Sequence, residues 1–213
     1  MRLRTSLITL GVLSALAIGA DLAAEQVAEN MAADKVTERY AANGGSVEVD
    51  IIGFPFLTQA VSGSFDEIDI TVENAEAPSG PATVTIPSAH LTAHGVRIEG
   101  TTSAVAERIE GEAVVPYAAI ADALQRQYPA VGDVEIAPVT GGANRVRLTR
   151  DGQHIIGRLT GQGPDLIITP ETEGASPMLL TLSTGPIPVD VTGVTTTDEG
   201  VRLHIAARSL SLG

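Results

Sequence analysis

From Val47 onward the chain repeats one pattern: apolar residues alternate with polar ones for a few positions, and then glycine or proline intervenes. Alternation with a period of two puts apolar side chains on one face of a strand and polar ones on the other. Val47, Val49 and Ile51 alternate with Ser46, Glu48 and Asp50, and Ile68, Ile70 and Val72 alternate with Glu67, Asp69 and Thr71. Short strands are further expected at Val84 and Ile86, around Val96 and Ile98, and at Val114. A meander follows through 134–136, 146–148, 155–159, 166–168, 179–182, 189–191 and 201–205, with turns at Asp151-Gly152 and Asp198-Glu199-Gly200. This punctuation predicts antiparallel sheet and excludes a series of strand-helix units.

Two stretches break the pattern. Residues 21–42 hold no Gly or Pro, are rich in Ala and Glu, and place Ala24, Val27, Ala28, Met31 and Tyr40 near one helical stripe. They predict a helix of about six turns, ended by Gly44-Gly45. From Pro116, the residues Tyr117, Ile120, Ala121, Leu124 and Tyr128 have helical spacing, and Pro129 closes that helix. The fold class is therefore α+β.

Residues 1–20 read as a targeting segment, either a signal peptide or a membrane anchor. Arg2 and Arg4 precede Thr5 to Ala20, which carry no charge. A helix over those residues would rise roughly 24 Å against a hydrocarbon core of ~30 Å. Cleavage after the small residues near Ala20, or retention as an anchor, both follow from this pattern. In either case the basic end stays cytoplasmic and the rest faces outward, which predicts an extracytoplasmic, membrane-associated protein of the periplasm or cell envelope. The remaining residues, 21–213, suit a single domain.

Composition narrows the partners. Beyond Arg2 and Arg4 the chain has 11 basic and 26 acidic residues, a formal charge of −15. Such a surface repels phosphate backbones, so no nucleic acid is expected, and it lacks a broad basic face for anionic lipid. With no cysteine there is neither a disulfide nor a thiol nucleophile. Any contact with lipid must be apolar.

Two of the three phenylalanines fall in Gly53-Phe54-Pro55-Phe56-Leu57-Thr58-Gln59, in a chain with only 3% aromatic residues. With its flanks, Val47 to Val72, this run resembles the signature of the LmeA-like phospholipid-binding proteins, an actinobacterial envelope family. The resemblance implies a fold like the tubular, BPI-like lipid-binding proteins, with a long N-terminal helix packed on a curved antiparallel sheet. It also implies a non-enzymatic protein that binds phospholipid or a lipid-linked glycan and supports elongation of the mannan of lipomannan. The alternative role, apart from that resemblance, is a secreted or anchored adaptor whose Phe segment binds a membrane protein partner such as an envelope glycosyltransferase.

Phe54, Pro55, Phe56 and Leu57 then form a candidate apolar lip at the mouth of a lipid site. The competing reading is a plug that closes one end of a sheet, since apolar residues beside a Pro turn are usually buried. His90 and His94 have the i, i+4 spacing of a helical zinc pair, but the flanking alternation places them in strands and no third ligand is near. Asp66, Glu67 and Asp69 read as a solvated strand face before they read as paired catalytic carboxylates. No Gly-x-Ser-x-Gly elbow and no phosphate-binding glycine loop is present. The sequence assigns no catalytic residue, no metal ligand and no cofactor.

Overall fold

The computed structural model describes residues 21–34, 45–79, 82–99, 103–182 and 190–212. Residues 21–34 are helical (α1), followed by strand β1 (Ser46–Ile52), a short helix α2 (Phe56–Ser62) and three long strands, β2 (Ser64–Ser79), β3 (Ala82–Glu99) and β4 (Ser103–Val115). Helix α3 (Tyr117–Gln127) and a 3-10 turn lead into β5 (Glu135–Pro138), β6 (Arg145–Arg150), β7 (Gln153–Gln162), β8 (Asp165–Pro170) and β9 (Met178–Thr181). The chain closes with β10 (Asp190–Thr196) and β11 (Val201–Leu212). All the strand pairs are antiparallel, in a six-stranded sheet of order β1-β2-β3-β4-β11-β10 and a five-stranded sheet β5-β6-β7-β8-β9. The α+β class and the antiparallel sheet stand as expected.

The register of the first sheet lines its apolar residues into rows across the strands. One row runs Ile51, Ile68, Ala93, Ile109, Ala207; the next runs Val49, Ile70, Leu91, Gly111, Ile205, Val191. A third runs Val47, Val72, Ala89, Ala113, Leu203. Beyond these rows the spacing of inward residues changes from two to three. Asp66 and Glu67 in β2, His94 and Gly95 in β3, and Glu107 and Arg108 in β4 all turn away from the core together, between the inward Phe65, Val96 and Ala106 and the first row. Gly95 makes this step with φ +59°, where an added Cβ would stand 2.9 Å from the Glu107 side chain. At the other end Asn74 has φ 54° where β2 runs past Pro87 of β3, and the inward series steps from Ala89 to Ile86. These two steps divide strands that the alternation alone predicts as short, separate pieces.

Two cores result. The larger lies between the sheets, where Val84, Val115, Val201 and Leu203 of the first sheet meet Val146, Leu159, Leu166, Ile168 and Leu180 of the second. Helix α3 closes it with Ile120, Ala123 and Leu124, which fulfils the spacing seen after Pro116. The sheets touch closely at Gly161, where a Cβ would fall 2.4 Å from Val191 Cγ1. The smaller core, Ile51, Phe56, Phe65, Ala93, Val96, Ala106, Ile109 and Ala207, lies under Ala24 and Ala28 of α1.

Helix α1 does not present the stripe expected of it. Val27 and Met31 are exposed, while Asp21, Ala24, Glu25, Ala28 and Glu29 face inward, a rotation of about a quarter turn. The cause is polar. β1 is an edge strand, and its Ile51 N–H donates to Glu29 Oε1 at 2.9 Å, while Asp21 accepts two N–H groups of α2. Backbone donors at a sheet edge and a helix start need acceptors, and the carboxylates that supply them fix the helix rotation. The full length of the expected helix, with Tyr40 and Gly44, lies outside the described residues, as does the targeting segment 1–20.

Candidate functional site

The phenylalanine heptapeptide sits where β1 ends and α2 begins, and the structure gives its residues different roles. Gly53 has φ +127°, and a Cβ there would meet Gln59 Nε2 at 2.6 Å, so only glycine fits. Gln59 packs under that turn and its Oε1 accepts the Asp66 N–H at 3.0 Å, bracing α2 against β2. Pro55 precedes the first helical residue and the Phe54-Pro55 bond is cis. Gly63, at φ 66°, ends the helix in the left-handed conformation.

Phe56 points inward. It is only 4% exposed and its ring stacks on Phe65 with centroids 6.1 Å apart. This corrects the four-residue lip: Phe56 is a core plug, because the first turn of α2 lays its ring over the row of Phe65, Val96 and Ala106. Its neighbours point the other way. Phe54 is 65% exposed, Leu57 is 42% exposed, and Pro55 is exposed beside them.

More apolar surface surrounds this pair than the sequence pattern suggests. Val61, one turn after Leu57 on the same side of α2, is 89% exposed. Ile98, whose N–H donates to the Gly63 carbonyl at 2.8 Å, is half exposed at the end of α2. Leu22 is likewise exposed at the start of α1, next to Asp21. The Asp21 carboxylate holds the two helices together, since Oδ2 accepts the Phe56 N–H and Oδ1 the Leu57 N–H, both at 2.6 Å. Asp21 is buried and Glu25 lies one turn along. Desolvation, with the Glu29 and Asp21 charges adding to it, pushes the Glu25 carboxyl above the usual glutamate range. Val61 and Ile98 were missed by sequence reading. The available signal was Pro55 and Gly63 bracketing seven residues that mark a short helix.

The polar candidates lie elsewhere, on the outer face of the first sheet. His90 and His94 are on strand β3, not on a helix, and each has a cross-strand partner: Thr71 Oγ1 lies 3.2 Å from His90 Nδ1, and Glu67 Oε2 lies 3.3 Å from His94 Nδ1. Asp69 Oδ1 accepts the Thr92 hydroxyl at 2.7 Å. Asp66 is exposed, its N–H tied to Gln59. Among the described residues no group of three metal-ligating side chains comes together. A depression of about 400 Å³ beside α3 is lined by Asp122, Asp133, Glu135 and Asp151, a lining unsuited to acyl chains. Among the described residues no helix is long and apolar enough to cross a membrane.

Comparison with known proteins agrees with the heptapeptide. No curated protein and no solved structure gives a match. The family model described as LmeA-like phospholipid-binding matches residues 19–212, nearly the whole chain. That family is a lipid-binding family and not an enzyme family. On this match the chain belongs to the LmeA-like phospholipid-binding family.

Proposed function

We propose that this chain is an exported, non-enzymatic protein of the cell envelope that takes phospholipid, or the lipid part of a lipid-linked glycan, by apolar contact and supports assembly of an envelope glycolipid of the lipomannan type. The observation that carries the lipid contact is the exposure of Phe54 and Leu57, with Pro55, around a buried Phe56 in a member of a phospholipid-binding family. Full burial of a Phe or Leu side chain contributes about 1.5–3 kcal/mol, and the exposed parts of Phe54 and Leu57 forgo a share of this that contact with an acyl chain or headgroup region restores. Helix α1 lying over one face of an antiparallel sheet is the arrangement that a tubular lipid-binding fold would use to line a site. The central row of half-buried Ile70, Leu91 and Ile205, crossing Gly111, offers apolar surface between the two cores. Export is supported by Arg2 and Arg4 followed by the uncharged run to Ala20.

The test is extraction of purified protein with organic solvent, followed by mass spectrometry. Phospholipid bound in stoichiometric amount is the expected result. Protein free of lipid that takes none from phosphatidylcholine donor vesicles would remove the proposal.

A further inference from the structure

We propose that the end of the molecule built from α1, α2 and the end of β3 is a bilayer-seating surface, with Leu22, Phe54, Leu57, Val61 and Ile98 inserted into the interfacial layer of a phospholipid membrane. The inference deepens the phospholipid reading and rests on it, and it adds an orientation: this end faces the membrane and the β5–β9 sheet does not.

Single exposed apolar residues are ordinary on protein surfaces, so the grouping matters and the count does not. Leu57 and Val61 are i, i+4 neighbours on α2, so both project from the side of the helix opposite Phe56. Phe54 precedes that helix in the cis-Pro turn, and Ile98 is tied to its last turn through the Gly63 carbonyl. Leu22 joins them because Asp21 is bonded to the first two N–H groups of α2. Four apolar side chains from three elements, with Phe54 from the turn before α2, thus gather around one helix of seven residues.

The occupant follows from what the chain joins to this rim. Asp21 is fixed at the rim by its two hydrogen bonds, and the sixteen residues immediately before it, Thr5 to Ala20, are uncharged and mostly apolar. The family to which the chain belongs binds phospholipid, and the rim lies where this apolar run reaches Asp21, beside Leu22 and Leu57. An apolar face buried about 5–10 Å below the headgroups matches the size of these side chains. Charge agrees with an apolar mode of seating: Arg97, next to Ile98, is paired with Glu107 at 3.1 Å, and the rim side chains carry no charge. Phosphatidylcholine should therefore serve as well as an anionic lipid.

The chain has no cysteine, so single cysteines can be placed at will. We would introduce Leu57→Cys, Val61→Cys and, on the exposed connection after β8, Glu173→Cys into the full chain. Each would be labelled with a polarity-sensitive fluorophore and reconstituted into phosphatidylcholine vesicles. The expected result is a blue shift and quenching by lipid-borne spin label at positions 57 and 61, with position 173 quenched by aqueous iodide alone. Equal iodide quenching at all three positions overturns the proposal. Protection of 57 and 61 from iodide without quenching from the lipid also overturns it, because it marks a protein contact. Solvent extraction of unlabelled full chain reports phospholipid binding separately, so a failed orientation is not mistaken for a failed function.

Discussion

Asp21 caps the helix that starts at Phe56: one carboxylate oxygen accepts the Phe56 N–H and the other the Leu57 N–H, each at 2.6 Å across 35 and 36 residues of chain. Short helices leave their first N–H groups without intrahelical partners, and a buried carboxylate satisfies two of them with charge-assisted bonds. Asp21→Ala should lower stability by about 2 kcal/mol, a fall in Tm of roughly 4–8 °C for a chain of this size. Asp21→Asn keeps one acceptor oxygen and should lose about half as much. Thermal melts of both variants check this, and a wild-type melt for Asp21→Ala would show that the tie between α1 and α2 carries no stability.

Phe56 and Leu57 are adjacent and should answer differently to substitution. Truncating the buried ring, Phe56→Ala, should cost about 3–5 kcal/mol because it leaves a cavity against Phe65. Leu57→Asp changes an exposed position and should stay within about 0.5 kcal/mol of the parent protein, while lowering phospholipid uptake by tenfold or more. Melts run beside a lipid-uptake assay separate the two. Uptake that survives Leu57→Asp intact would remove the exposed turn of α2 from the binding surface.

Glu25 gives a pH dependence with a definite sign. Desolvation and then the Glu29 and Asp21 charges raise its folded-state pKa above the unfolded value, so its protonation favours the folded state. The contribution is fully present below the ordinary glutamate range and is lost as pH rises through the raised value. Glu25→Gln should therefore raise Tm slightly at neutral pH, and the advantage should vanish in acid, below the ordinary glutamate range. A variant whose advantage grows toward acid would reverse this assignment.

The outer face of the first sheet should tolerate change. The His94 and Glu67 pair is partly exposed, and surface pairs contribute about 0–1 kcal/mol. His94→Ala, Glu67→Ala, His90→Ala and Asp69→Ala should each leave phospholipid uptake within twofold. A hundredfold loss in a folded variant would point to chemistry on this face.

What the sequence made legible follows from where the period of two holds. The rows through Val49, Ile70 and Val72 keep that period and were predicted correctly, as was α3 from its helical spacing after Pro116. β3 reads as broken pieces because the inward series changes step at Pro87-Ser88 and again at His94-Gly95, although the strand runs from Ala82 to Glu99 without interruption. The rotation of α1 was hidden for a different reason. A hydrophobic stripe assumes that apolar residues decide which face turns inward, whereas Asp21 and Glu29 decide it here through backbone donors from distant segments. For the heptapeptide, composition could not say which of Phe54 and Phe56 is buried, because that depends on the turn at Gly53 and the start of α2.

The most direct measurement of the central claim is equilibrium uptake of phosphatidylcholine by the purified protein at low and at high salt, with bound lipid quantified by mass spectrometry. Binding by apolar contact through Phe54 and Leu57 predicts uptake that is nearly the same in both, since the exposed turn offers no charge for salt to screen. Uptake that falls by orders of magnitude in high salt, or no bound phospholipid in either condition, would contradict it.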